Sequence, residues 1–147
     1  ELHIAGRLDY NTTGLLLLTN HGAWSKHLTL KESHQPKVYF VTTLEPIPSE
    51  AVNRFQQGFY FDTEGITTLP APLEILSNNT ARLTLVEGRY HQVKRMFAAV
   101  GNKVVALHRQ RIGAVELDVP ESQWRYLTAE EISSFYTANS EDGSDVS

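Results

Sequence analysis

Four consecutive leucines, Leu15 to Leu18, do most to limit what this chain can become. With Gly14 and Thr19 they make a continuous apolar run of strand length, too short to cross a bilayer, so the segment reads as a buried strand. Ahead of it stands a polar insert, Arg7-Leu-Asp-Tyr-Asn-Thr-Thr-Gly14. A turn asks for Gly and Asn, but it has no need of an arginine and an aspartate two residues apart. In an extended segment Arg7 and Asp9 project to one side while Leu8 points to the other. Spacing leaves two readings open. One is an exposed ion pair worth about 0–1 kcal/mol. The other is a carboxylate at the lip of a buried strand, placed to act as nucleophile or base.

The remaining pattern fills one domain, which 147 residues suffice to build around a core. Asn20 can cap a short helix through Trp24 and Leu28. KVYFVTTL, from Lys37, is a strand; Pro48 to Gln57 reads as a helix with Ser49 as cap and Gly58 as stop. Strands follow at Phe59–Asp62, Leu73–Leu76 and Ala81–Val86, the last two joined by a hairpin at Asn78-Asn79. RYHQVKRMFAAVG has the helical period, with Val93, Met96, Phe97 and Val100 inward. Strands at Lys103–Ile112 and Ala114–Leu117 turn about Gly113. Thr128 and Glu131 form a capping box for a last helix to about Tyr136. The expected fold is α+β: a mixed, mostly antiparallel sheet flanked by helices over residues 1–137, then an acidic, disordered tail over 138–147.

Charge is unevenly spread. The net is −4, yet from Arg82 to Arg111 there are seven basic residues against Glu87 alone, while the chain from Thr128 onward has five acids and no base. Phosphate binding depends on local charge, so the total does not exclude a nucleic-acid partner. Without cysteine there are neither disulfides nor thiolate metal sites. No metal-binding, phosphate-loop or dinucleotide motif occurs, so no metal and no cofactor are expected. No apolar run approaches the ~20 residues of a membrane span, and a cytoplasmic protein is expected.

Two further groups can carry chemistry. On a helical wheel Lys94 stands at the edge of the buried side, from which its ammonium can reach an adjoining cleft and keep a carboxylate ionised. Arg89, His91, Gln92 and Arg95 can meet phosphates together, as can Arg109 and Arg111 on a following strand. Tyr39 shares its side of a strand with Lys37, which suits a partly polar cleft. An ordinary amphipathic helix and a core aromatic are the plainer readings.

Together, Gly6-Arg-Leu-Asp9, Thr12-Thr-Gly-Leu15, Lys37-x-Tyr39, Glu87-Gly-Arg-Tyr-His-Gln-Val-Lys-Arg-Met96 and Leu107-His-Arg109 resemble the RsuA branch of the pseudouridine synthases, in the family's order and over nearly the whole chain. Tyr90-His91 and the MFAAVGN stretch are most similar to the members acting on small-subunit (16S) ribosomal RNA, with the large-subunit (23S) members as the alternative. The resemblance implies that Asp9 attacks a target uridine, that Tyr39 stacks on the flipped base and that Lys94 pairs with the aspartate. It implies that Arg7 fills the gap in the RNA stack, and that the reaction needs neither cofactor nor metal; a monomer is expected. Relatives also carry an amino-terminal S4-type domain and a Lys-Pro-Pro-Gly strand that this chain lacks, which predicts weakened activity for the chain alone. Two rivals compete with this reading. A retaining glycosidase or nucleosidase would set a second carboxylate, such as that of Glu87, about 5 Å from Asp9, and a non-catalytic ribosomal RNA-binding module would use only the basic face.

Overall fold

The computed structural model describes residues 3–5, 12–19, 35–87, 91–119 and 125–140. Three short strands come first: β1 (His3–Ala5), β2 (Thr12–Gly14) and β3 (Leu17–Thr19). Next are β4 (Lys37–Thr43), α1 (Ala51–Gln57), β5 (Tyr60–Phe61), β6 (Ile66–Thr67), β7 (Leu73–Ser77) and β8 (Thr80–Leu85). Then come α2 (Gln92–Ala99), β9 (Val104–Ile112), β10 (Val115–Glu116) and α3 (Ala129–Ser140). The helix expected from Asn20 lies outside the described residues, as does the tail beyond Ser140. α3 runs past the boundary expected at residue 137.

The main sheet has the order β10-β9-β4-β8-β7, with β2 also on β9. All its pairings are antiparallel except that of β2 with β9, so the expected mixed, mostly antiparallel α+β fold is the one observed. β8 alternates strictly between buried and half-buried residues, as a strand with one covered face must. Ala81, Leu83 and Leu85 of β8 and Val41 of β4 face α1 and α2, which bring Ala51, Phe55, Val93, Met96 and Phe97. The Phe55 ring lies 5.3 Å from that of Phe59, edge-on, and 4.8 Å from that of Phe97. Such pairs add about 0.5–1.5 kcal/mol to the burial itself.

Two local expectations change. α1 starts at Ala51 with no side-chain cap, so Ser49 does not cap it. Its stop is as expected: Gly58 takes φ +92, and a Cβ there would sit 2.3 Å from the Thr68 carbonyl oxygen. The leucine run is not one strand. Leu15 and Leu17 are buried in a second cluster with Ile112 and Val115, but Leu16 is 38% exposed. The cause is a change of partner, since β2 ends at Gly14 beside β9 while β3 pairs antiparallel with β1.

Candidate functional site

Tyr39 stands in the centre of the sheet, between Leu83 of β8 and Arg109 of β9. It is half-buried and packs against the main core, on the helix-covered side. The shared side with Lys37 is therefore the inner one, and the Lys37 ammonium is itself buried, donating to the Gln35 carbonyl at 3.2 Å. Lys94 is half-buried on α2, next to buried Val93, at the edge the helical period predicted. Since Val93, Met96 and Phe97 join the cluster on which Tyr39 packs, the phenol and the helix bearing Lys94 lie on one side of the sheet. Asp9, Arg7 and Arg89 lie outside the described residues.

The basic residues divide into unlike environments. Gln92 is 3% exposed, and its amide donates to Glu87 Oε2 at 3.0 Å, which also accepts from the Leu69 N–H at 2.8 Å. It is a brace within the fold and cannot meet a phosphate. Glu87, the candidate second carboxylate, is held by the same brace. Arg95 makes two bonds to the Glu64 carboxylate, at 2.8 and 2.9 Å, with its guanidinium 3.8 Å from the centre of the Phe61 ring. It pins α2 to the β5–β6 hairpin. His91, half-buried, precedes α2 with φ +46, a left-handed conformation in which histidine is over-represented among non-glycine residues.

Arg109 and Arg111 were both expected among the RNA-binding residues of the basic stretch. A bulge in β9 separates them. Val38 pairs with Arg111 and Tyr39 with Arg109, so Gln110 is the extra residue. Arg109 turns inward and is 2% exposed, which removes it as an RNA contact. Arg111 turns outward, where it pairs with Glu116 and lines a cleft of about 520 Å³ with Val38, Arg82, His108 and Gln110.

The segment after Asp9 is fastened to β9 by polar links. Thr12, Thr13 and Gly14 pair with Leu107, His108 and Arg109. Arg109 donates from Nε (3.0 Å) and Nη2 (2.7 Å) to the Leu15 carbonyl, whose own N–H donates to the Arg109 carbonyl at 2.9 Å. Thr13 Oγ1 is 2.8 Å from His108 Nδ1. Gly14 has φ +118, and a Cβ there would lie 2.2 Å from the Arg109 carbonyl oxygen. The buried Thr12 hydroxyl has no partner among the described residues. The sequence signal for this clamp was a glycine directly after a polar insert, the usual mark of a close backbone approach. Nothing local signalled the Glu64 partner of Arg95 or the bulge at Gln110.

Comparison with known proteins fits this arrangement. The RNA pseudouridylate synthase family matches residues 1–99. The ribosomal small subunit pseudouridine synthase A of Pseudomonas aeruginosa is 57% identical over 136 residues, covering 91% of this chain and 59% of that protein. The protein of the same name from Escherichia coli is 49% identical, with the same coverage. The chain thus spans about three fifths of the length of these relatives. A crystal structure of a pseudouridylate synthase superposes with a TM-score of 0.85 at 49% identity, over 91% of this chain and 59% of that one. A chain of an archaeal box H/ACA sRNP shares the fold at 16% identity, with a TM-score of 0.52 over 97% of this chain and 47% of its own. The chain belongs to the RNA pseudouridylate synthase family.

Proposed function

We propose that the protein isomerises a uridine to pseudouridine in small-subunit ribosomal RNA, with Asp9 as nucleophile. Attack by its carboxylate on the sugar C1′ or on the base breaks the C1′–N1 bond. The freed base rotates, C5 bonds to C1′ as the carboxylate is released, and C5 loses its proton while N1 gains one, leaving the atom count unchanged. A stacked base must first be extruded, at a cost of a few kcal/mol. Tyr39 offers the extruded ring an aromatic face, and Arg7 fills the gap left behind. The Lys94 ammonium keeps the Asp9 carboxyl ionised. Arg89 and His91 hold flanking phosphates. The acting species is a cytoplasmic monomer, and sedimentation with and without RNA tests that state.

One observation carries the reading: Tyr39 and the helix of Lys94 share one side of the sheet, and β2, beginning three residues after Asp9, is paired to β9 beside the strand of Tyr39. Three residues of chain span at most about 10 Å. The relatives named above, which act on the small ribosomal subunit by name, supply the substrate. Incubation with unmodified small-subunit RNA, followed by carbodiimide-stop sequencing, is expected to give one new stop. Asp9→Asn is expected to abolish that stop and leave RNA affinity within about twofold. Absence of any stop with the native protein, or turnover surviving in Asp9→Asn, rejects the proposal.

A further inference from the structure

We infer that Arg109 is a positioning residue for the reaction: its buried guanidinium locks the strand that follows the Asp9 segment onto the strand that flanks Tyr39. This role rests on the assignments of Asp9 and Tyr39 proposed above. Burying a guanidinium is costly, and an apolar side chain of similar volume often serves stability as well or better. What the charge adds is direction. Two donors of Arg109 converge on one acceptor, the Leu15 carbonyl, while the Leu15 N–H returns a bond to the Arg109 carbonyl. Together these bonds select one register of β2 against β9.

Gly14 lets the backbones approach that closely, since any Cβ there would overlap the Arg109 backbone. The Thr13–His108 bond fastens the same strand from the outer side of the sheet. Arg109 is also the cross-strand neighbour of Tyr39. A single side chain therefore fixes both the strand three residues beyond Asp9 and the setting of the phenol. Misplacement of a reacting group by 1 Å can slow a reaction about 100-fold. A phosphate contact is excluded by burial, and a simple strut would leave the rate of folded molecules unchanged.

The test uses the full chain with Arg109→Lys and Thr13→Val, the second removing the outer fastening from an exposed position. Thermal unfolding, RNA affinity with its salt dependence, and kcat and KM on small-subunit RNA are measured for each. Per folded molecule, kcat is expected to fall about 30- to 100-fold in Arg109→Lys and several-fold in Thr13→Val. RNA affinity and its salt slope should hold within about twofold. Unchanged kcat in a folded Arg109→Lys overturns the inference. So does weaker RNA binding with a salt slope shallower by about one and kcat retained, the signature of a phosphate contact. If Arg109→Lys does not fold, Thr13→Val decides alone: a fall in kcat supports the role and an unchanged kcat overturns it. An inactive Asp9→Asn beside a fully active Arg109→Lys removes only the positioning role; an active Asp9→Asn removes the proposed function as well.

Discussion

Helices α1 and α2 reach the sheet through Phe55, Met96 and Phe97, all fully buried, whereas the described fastenings of β2 to β9 and of the start of α3 include hydrogen bonds and ion pairs. Apolar contact is strong but non-directional, so it fixes that two layers meet without fixing their register. Hydrogen bonds have preferred angles and distances, and they fix register. The aromatic cluster therefore supplies stability, while the polar fastenings at β2 set geometry beside the residues proposed to react.

The largest effect should come from breaking the apolar side. Phe97→Ala is expected to cost about 3–5 kcal/mol in denaturant unfolding. It should remove function only through loss of folded protein. A cost below about 1 kcal/mol would mean the cluster is not the main support. Gly14→Ala breaks the polar side. Its added Cβ meets backbone atoms of Arg109, and φ +118 is strained for any side chain, so a cost of about 1–3 kcal/mol is expected. Hydrogen exchange should show that loss concentrated at Thr12–Leu15 and β9. Protection lost uniformly through β4 and β8 would contradict the separation drawn here.

The same division explains what the sequence disclosed. Val93, Met96 and Phe97 were legible as an inward face because helical period is local, and Thr128 with Glu131 was legible because a capping box spans one turn. The Asn78-Asn79 hairpin and the stop at Gly58 were legible for the same reason. The leucine run misled because composition shows burial but not which strand supplies the partner: β9 takes the chain up to Gly14 and β1 takes it from Leu17. Arg109 and Arg111, both read as RNA contacts, part company because the extra residue at Gln110 sends them to opposite faces. Arg95 found a carboxylate 31 positions away, which no local pattern reveals. Tyr39 and the helix of Lys94 lie on one side of the sheet, and the bulge that sets Tyr39 against Arg109 had no precursor in the sequence.

Thr12 sharpens the comparison from within β2. A buried hydroxyl with no partner among the described residues costs stability that a methyl of the same shape does not. Thr12→Val is therefore expected to raise stability by about 0.5–1 kcal/mol in urea unfolding, the reverse of Gly14→Ala. Destabilisation instead would show that the hydroxyl is satisfied in solution and belongs among the fastenings of β2.

The smallest effect belongs to α3, the other polar attachment. Arg125 grips Glu131 with two bonds of 2.7 and 2.8 Å, and the Thr128 N–H donates to the same carboxylate at 2.8 Å. The Arg125 bonds, helped by Thr128, hold the Glu131 carboxyl down to about 2 from an ordinary 4.5, against the opposing pull of burial. A carboxyl depressed on folding contributes stability that is fully present above its unfolded value and is lost as pH falls through the folded one. The attachment should thus hold at pH 5 and above, weaken between about 4.5 and 2, and be gone below 2. Because the pair is at the surface, salt should reduce the effect. Helical circular dichroism followed from pH 5 to pH 2 should fall more in the native chain than in Glu131→Gln, which starts without the charge. Equal acid profiles for the two would show that α3 is held by its apolar neighbours, Leu127 against the second cluster, and would move it to the apolar side of the comparison.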